Sequence, residues 1–314
     1  MYLTFFLAFS GLNSLFNDLL YRSTNLHLNF TRNCNYHILP ISLNVNRLRS
    51  LKLSNTFLFS IENFFRQYPL ESFEQLRSFT LMRLRIKDNI DNIVKLEHLS
   101  SLILYLDDDN SNGHKIFEQV FNGPLSSRLK RFELHQSSIN KTPVKVRCQH
   151  GLSIEHLCFN TQFQYNNNFI QLLSFMPRIK SITIGPLWIQ QKDDNISPAI
   201  DFQIIPTSIP TLFYLNLTLS SVKFSHLEAF LSKYTPNLKY LLIKTTDNNF
   251  ANGEKWEILF HTSLTRLKHF YLEITYSIYY SIDSFIDMTK FQTNYWLDRN
   301  IVINKLNNQF IVKF

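Results

Sequence analysis

A single α/β repeat array, made of short parallel strands joined by helical segments, is the fold class the sequence predicts. Three observations predict it. A six-residue pattern, L-x-x-L-x-L with Ile or Phe allowed, recurs nine times in order along the chain. Successive copies end 28, 23, 30, 25, 25, 33, 26 and 29 residues apart. Between several copies lies a run with helical apolar spacing that stops at a proline.

The copies are Leu48/Leu51/Leu53, Leu76/Phe79/Leu81, Leu99/Leu102/Leu104, Leu129/Phe132/Leu134 and Ile154/Leu157/Phe159. They continue as Ile179/Ile182/Ile184, Leu212/Leu215/Leu217, Leu238/Leu241/Ile243 and Leu267/Phe270/Leu272, and a weaker tenth, Leu26/Leu28, precedes them all. In each copy the last two apolar residues are two apart, which puts both on one face of a strand. The first sits three residues earlier, where the chain turns into that strand. No unit can cover its own apolar edge, so stacking on neighbours is what closes a core. A period near ~20–29 residues is that of leucine-rich repeats. The expected architecture is therefore a leucine-rich-repeat solenoid, a horseshoe of about ten repeats, with parallel strands on the concave face and helices on the convex face.

The helical runs follow in order. Ile61–Tyr68 ends at Pro69, Phe169–Met176 ends at Pro177, and Val222–Thr235 ends at Pro236. Proline cannot continue a helix, so each marks a stop. Residues 135–150 carry the strand-like Pro143-Val-Lys-Val146, and 185–211 hold Pro186, Pro198, Pro206 and Pro210. Both stretches are expected to be irregular, the second as a loop. The period breaks again at Met288–Asn300, where Phe291, Tyr295 and Trp296 can cover the open end of the core. The expected organisation is an N-terminal helix over 1–22, the solenoid over 23–290 and a capping segment over 291–314.

Composition narrows the function. The net charge of +8 comes from scattered bases, with Arg47, Arg49 and Lys52 the tight group near the start. A nucleic-acid binder usually carries a concentrated stripe, so no nucleic-acid partner is expected. The three cysteines, Cys34, Cys148 and Cys158, are a poor disulfide framework and suit a reducing compartment, cytoplasmic or nuclear. No run approaches the ~18 apolar residues of a membrane span.

Catalytic patterns are absent: no Gly-rich phosphate loop, no G-x-S-x-G, no H-E-x-x-H. With 6 glycines there is little from which to build a phosphate cradle. Cys148-Gln-His150 and His156-Leu-Cys158 are zinc-ligand types, but C-x-H-x5-H-x-C matches no standard zinc module. Asp107–Asp109 and Asp193-Asp194 read as solvated loop charge. The chain is expected to be no enzyme and to need no cofactor or metal.

The N-terminal run Phe5–Leu20 has apolar residues at helical spacing beyond Gly11, which reads as an amphipathic helix rather than a cleaved leader. Together with the repeats it resembles the F-box/leucine-rich-repeat proteins, substrate receptors of cullin–RING ubiquitin ligases. Leu12, Asn13, Phe16, Leu19 and Leu20 match the Leu-Asn-x-x-Phe run and the Leu-Leu close of the second half of an F-box. The family's opening Leu-Pro pair and first apolar helix are absent, so the F-box is read as truncated or degenerate. The resemblance implies a substrate-recognition subunit of an SCF-type ligase, meeting a Skp-type adaptor and cullin through Leu12, Phe16, Leu19 and Leu20. The alternative is a leucine-rich-repeat scaffold, or a secreted receptor-like binding protein with no ligase link.

Strand alternation then names the binding face for a protein target. Residues flanking each inward pair face the concave side, and the last three sets are Tyr214/Asn216/Thr218, Tyr240/Leu242/Lys244 and His269/Tyr271/Glu273. Tyr214, Tyr240 and Tyr271 are expected to form one aromatic patch, rimmed by Lys244, His269 and Glu273. Tyr offers large area with a polar tip, which suits interfaces.

Overall fold

The computed structural model describes residues 26–30, 45–56, 60–85, 91–107, 113–136, 151–160, 163–164, 172–188, 208–220, 222–275, 288–306 and 309–314. The expected helix over 1–22 with Leu12, Phe16, Leu19 and Leu20 lies outside them, as do Cys34, Cys148, His150, Pro143–Val146 and most of 185–211. The protein is α/β with mostly parallel strands. It forms two compact units, one within Met1–Asn140 and Leu152–Ile154, the other within Lys141–Gly151 and Glu155–Phe314.

Among the described residues of the first unit, β1 (Leu26–Phe30), β2 (Leu48–Ser54), β3 (Ser78–Leu84), β4 (Ser101–Leu106) and β5 (Arg131–Gln136) pair in chain order. All these pairings are parallel. Register follows the repeated pattern: Leu51 pairs with Phe79, Phe79 with Leu102, and Leu102 with Phe132. Leu53, Leu81, Leu104 and Leu134 form the next buried row in the same manner. The leading residues Leu48, Leu76, Leu99 and Leu129 are buried as well. Burying a Leu or Phe side chain contributes roughly 1.5–3 kcal/mol, so these rows are the main attraction between successive strands.

The connections are short helical pieces. Helix α1 (Ile61–Gln67) is capped by Ser60, whose hydroxyl accepts from the Asn63 amide at 3.4 Å, and Pro69 follows its end. Helix α2 (Gly113–Asn122) was not visible as a periodic run, and the link before β4 contains only a 3₁₀ turn (Asp91–Lys95) among its described residues.

A backbone joint repeats where β4 and β5 begin. The Arg77 carbonyl accepts from the amides of both Ser100 and Ser101 at 2.9 Å. The Ser100 carbonyl accepts from Lys130 at 2.8 Å and Arg131 at 3.0 Å. One carbonyl, with two lone pairs, thus fixes two consecutive residues of the following repeat.

Asn55 ties β2 to its neighbours. Its Oδ1 accepts from the buried Ile61 amide at 2.9 Å, and its Nδ2 donates to the Arg83 carbonyl at 2.8 Å. Arg83 holds a left-handed φ of 54° at a register shift between Leu81 and Leu84. A non-glycine residue there costs on the order of 1 kcal/mol, and the Asn55 amide helps hold it.

In the second unit the strands are β6 (His156–Asn160), β7 (Phe163–Gln164), β8 (Ser181–Trp188), β9 (Tyr214–Ser220), β10 (Tyr240–Thr245), β11 (His269–Thr275), β12 (Val302–Leu306) and β13 (Gln309–Lys313). Their order is β6-β8-β9-β10-β11-β13-β12, with β7 against β8. The same joint recurs: the Lys180 carbonyl takes the Phe213 and Tyr214 amides, Phe213 takes Lys239 and Tyr240, and Lys239 takes Lys268 and His269.

One sequence expectation is corrected here, and another is extended. The loop expected from 185 begins later, because β8 continues through Pro186 to Trp188. A register shift between Ile184 and Leu187 lets the chain pass a residue that has no amide to donate. The C-terminal segment does more than lie over the end of the core. It forms the antiparallel hairpin β12–β13, and β13 adds to the sheet along β11. Phe291 and Trp296 are buried, with Trp296 5.8 Å from Phe260 and Phe291 5.7 Å from Phe310.

Helices α3 (Phe224–Tyr234), α4 (Gly253–Thr262) and α5 (Asn294–Asp298) supply the remaining core. Gly253 starts α4 because the Lys290 carbonyl lies where a Cβ would go. His226 of α3 has a buried Nδ1 with no hydrogen-bond partner among the described residues. Burial, helped by the charge of Lys223, lowers its pKa below the usual 6.5. The folded state therefore resists protonating His226, while the unfolded chain takes the proton freely. Its contribution is complete above the unfolded pKa of 6.5 and is lost as pH falls through the folded value. Urea titrations between about pH 7.5 and about pH 5.5 should show stability falling with pH, and His226→Leu should flatten that slope. An unchanged slope in the variant would assign the effect elsewhere.

Candidate docking face

Pairing of β9, β10 and β11 sets the candidate residues in rows. The first row is Tyr214, Tyr240 and His269; the second is Asn216, Leu242 and Tyr271; the third is Thr218, Lys244 and Glu273. Each row lies opposite the buried partners Leu215, Leu241 and Phe270 or Leu217, Ile243 and Leu272, as strand alternation requires. Half of every strand is thereby committed to the core and the other half to this face.

The six expected residues come together, but not in the expected grouping. Tyr240 stacks on His269 with centroids 4.7 Å apart and planes 9° from parallel, and Tyr214 lies 6.3 Å from Tyr240. The third ring of that row is His269. Tyr271 stands two residues further along its strand, registered with Leu242. Its hydroxyl donates to Glu273 Oε2 at 3.0 Å.

Glu273 is not a rim residue. It is only 9% exposed and is the hub of a small network. Lys244 Nζ lies 2.8 Å from Oε2, and Gln309 Nε2 donates to Oε1 at 3.3 Å. The burial comes from the hairpin, since β13 lies on the far side of β11 and pairs Ile311 with Glu273. A buried carboxylate needs such partners, because an uncompensated one is costly. Burial, the hydrogen bond to Glu273 and that carboxylate's charge together raise the Tyr271 pKa above its usual 10.0. Tyr271 therefore stays a hydrogen-bond donor at physiological pH. Gln309 was out of reach of sequence reasoning, because a break in the repeat tells where the pattern ends and not which strand follows.

The first unit has a smaller polar cluster on its own strand face. Tyr105 stacks on His135 at 4.3 Å and 8°, and Glu133 accepts from Arg131 and lies 3.2 Å from His135 Nε2. Desolvation raises the Glu133 pKa, but the His135 and Arg131 hydrogen bonds and charges outweigh it, so the net shift is downward. This acid is internally satisfied.

His156 Nδ1 lies 2.8 Å from the Ser181 hydroxyl, and Cys158 is a half-buried thiol. The other two candidate zinc ligands, Cys148 and His150, lie outside the described residues. Among those residues no helix is long and apolar enough to cross a membrane. On β9–β11 the arrangement offers rings, hydroxyls and a paired charge. No protein-family model and no curated protein matches the chain.

Proposed function

We propose that the chain is a non-catalytic protein-binding module of the leucine-rich-repeat type, and that its target docks on the strand face of β9–β11. The reading extends to a substrate-recognition subunit of an SCF-type ubiquitin ligase, acting inside the cell. In that role Leu12, Phe16, Leu19 and Leu20 contact a Skp-type adaptor and, through it, a cullin. One observation carries the docking surface: Tyr214, Tyr240 and His269 form a registered row of rings, with the buried acid beside them already neutralised. Rings held by packing lose little freedom on binding, which is why Tyr is enriched where interfaces concentrate their energy. The recurring joint and the apolar rows support the repeat architecture within each unit. The ligase role rests on the sequence resemblance.

A photo-crosslinking residue placed at Tyr240 should yield discrete protein adducts in cells. The double variant Tyr240→Ala, Tyr271→Ala should weaken capture of that partner roughly thirtyfold or more, at about 2 kcal/mol for a central ring. Its circular dichroism should be unchanged. Unchanged capture rejects the face as the docking site. Co-purification of cullin subunits tests the ligase role separately, and its failure leaves the docking surface standing.

A further inference from the structure

We infer that the segment bound by this face is acidic: an extended, carboxylate-rich stretch of the partner protein. The inference rests on the docking surface proposed above and names the chemistry of what fills it.

The strands β9–β11 carry one acid, Glu273, and it is already matched, held by Lys244 at 2.8 Å. Among the described residues, four bases next to β10 and β11 have no such match. Lys239 and Lys268 directly precede Tyr240 and His269, both are exposed, and neither has a carboxylate partner among the described residues. The Lys239 carbonyl accepts from the Lys268 and His269 amides at 2.9 and 3.0 Å, which fixes the two lysines on adjacent strands. Arg266 lies just ahead of Lys268 and, among the described residues, bonds the neutral Asn237 amide oxygen, at 2.7 Å. Lys313 is exposed and registered with Tyr271. Lys239, Lys268 and Arg266 thus lie at the strand-entry edge of the ring row and Lys313 beside Tyr271, while the one acid of β9–β11 is already paired. An anionic partner is the complement.

Ring geometry points the same way. Tyr240 and His269 lie nearly parallel at 4.7 Å, about the spacing of neighbouring strands. Their faces therefore turn toward each other along the sheet, and their edges turn outward. An aromatic edge carries positive partial charge, and the tyrosine tips add O–H donors. Such a surface receives carboxylates. A nucleobase needs an open ring face to stack on, and the Tyr240 face is covered by His269. The row from Tyr214 to His269 spans two strand spacings, roughly 10 Å, which three or four residues of extended peptide cover.

The test is fluorescence anisotropy on the full chain, with a labelled glutamate–tyrosine copolymer as probe and polylysine and a single-stranded oligothymidylate as comparators. The copolymer should bind and polylysine should not. Raising salt from about 0.05 M to about 0.5 M should weaken binding, since these lysines are exposed and screened. Lys239→Glu with Lys268→Glu should reduce affinity roughly tenfold or more, and both positions are exposed enough to leave the fold intact. Copolymer binding that ignores the charge reversal, absence of binding, or tighter binding of the oligothymidylate overturns the inference. If the Tyr240 crosslink still captures its partner in the double Lys→Glu variant, the docking face stands and only its acidic preference falls.

Discussion

Replacing Trp256 with Ala is expected to cost about 4 kcal/mol of stability, a loss in the range for truncating a buried aromatic. Trp256 has no exposed surface and joins four elements. Its ring lies 4.9 Å from Phe224 of α3, 5.7 Å from Phe260 of α4 and 4.9 Å from Phe270 of β11. Its Nε1 donates to the carbonyl of Phe250, in the 3₁₀ turn Asn248–Ala251, at 2.8 Å. Ala would leave a cavity ringed by aromatic side chains too large to close it, and would orphan that carbonyl. Trp256→Phe separates the two effects, keeping most of the volume while losing the hydrogen bond, for about 1–3 kcal/mol. Chemical denaturation of both variants checks the prediction. A loss below about 1 kcal/mol for the alanine variant would mean that this packing is not the centre of the unit.

The second large effect is expected at Asn55. Alanine there leaves two backbone groups without partners, the buried Ile61 amide and the Arg83 carbonyl. At about 1–3 kcal/mol for each unsatisfied buried group, and less for the part-buried carbonyl, the sum is near 3 kcal/mol. Asn55→Asp keeps the acceptor for Ile61 and loses the donor to Arg83, so it should fall between the two. Hydrogen exchange at Ile61 provides the local readout: protection should drop sharply in the alanine variant and survive in the aspartate variant. Equal protection in all three proteins would show that the amide is held by something other than Asn55.

The strands and their pairing were legible in the sequence because alternation is strict. Matching Leu215, Leu241 and Phe270 by pattern gives the observed partners, and the face residues follow from the same count. Helices α1 and α3 were legible because an apolar stripe ends at a proline. Helix α4 was not, since its buried set begins with Gly253 and includes the close contact to Lys290, neither of which carries a helical signature. The six face residues were found, but their roles depended on neighbours from elsewhere in the chain. Gln309 and Ile311 turn Glu273 from a rim charge into a buried hub, and they come from a hairpin that the repeat pattern cannot foresee.

The doubly accepting carbonyl at the start of β4, β5, β9, β10 and β11 bears on how such a chain can change over time. Arg77 and Ser100 in one unit, and Lys180, Phe213 and Lys239 in the other, offer the same two-bond socket whatever side chain they carry. The distance along the chain between successive copies ranges from 23 to 33 residues, yet the socket is the same across short and long spacers. Insertions and deletions in the spacers are therefore absorbed without disturbing how one rung meets the next. Proline at the donating positions is the substitution this arrangement excludes, since it removes the amide that the preceding rung grips.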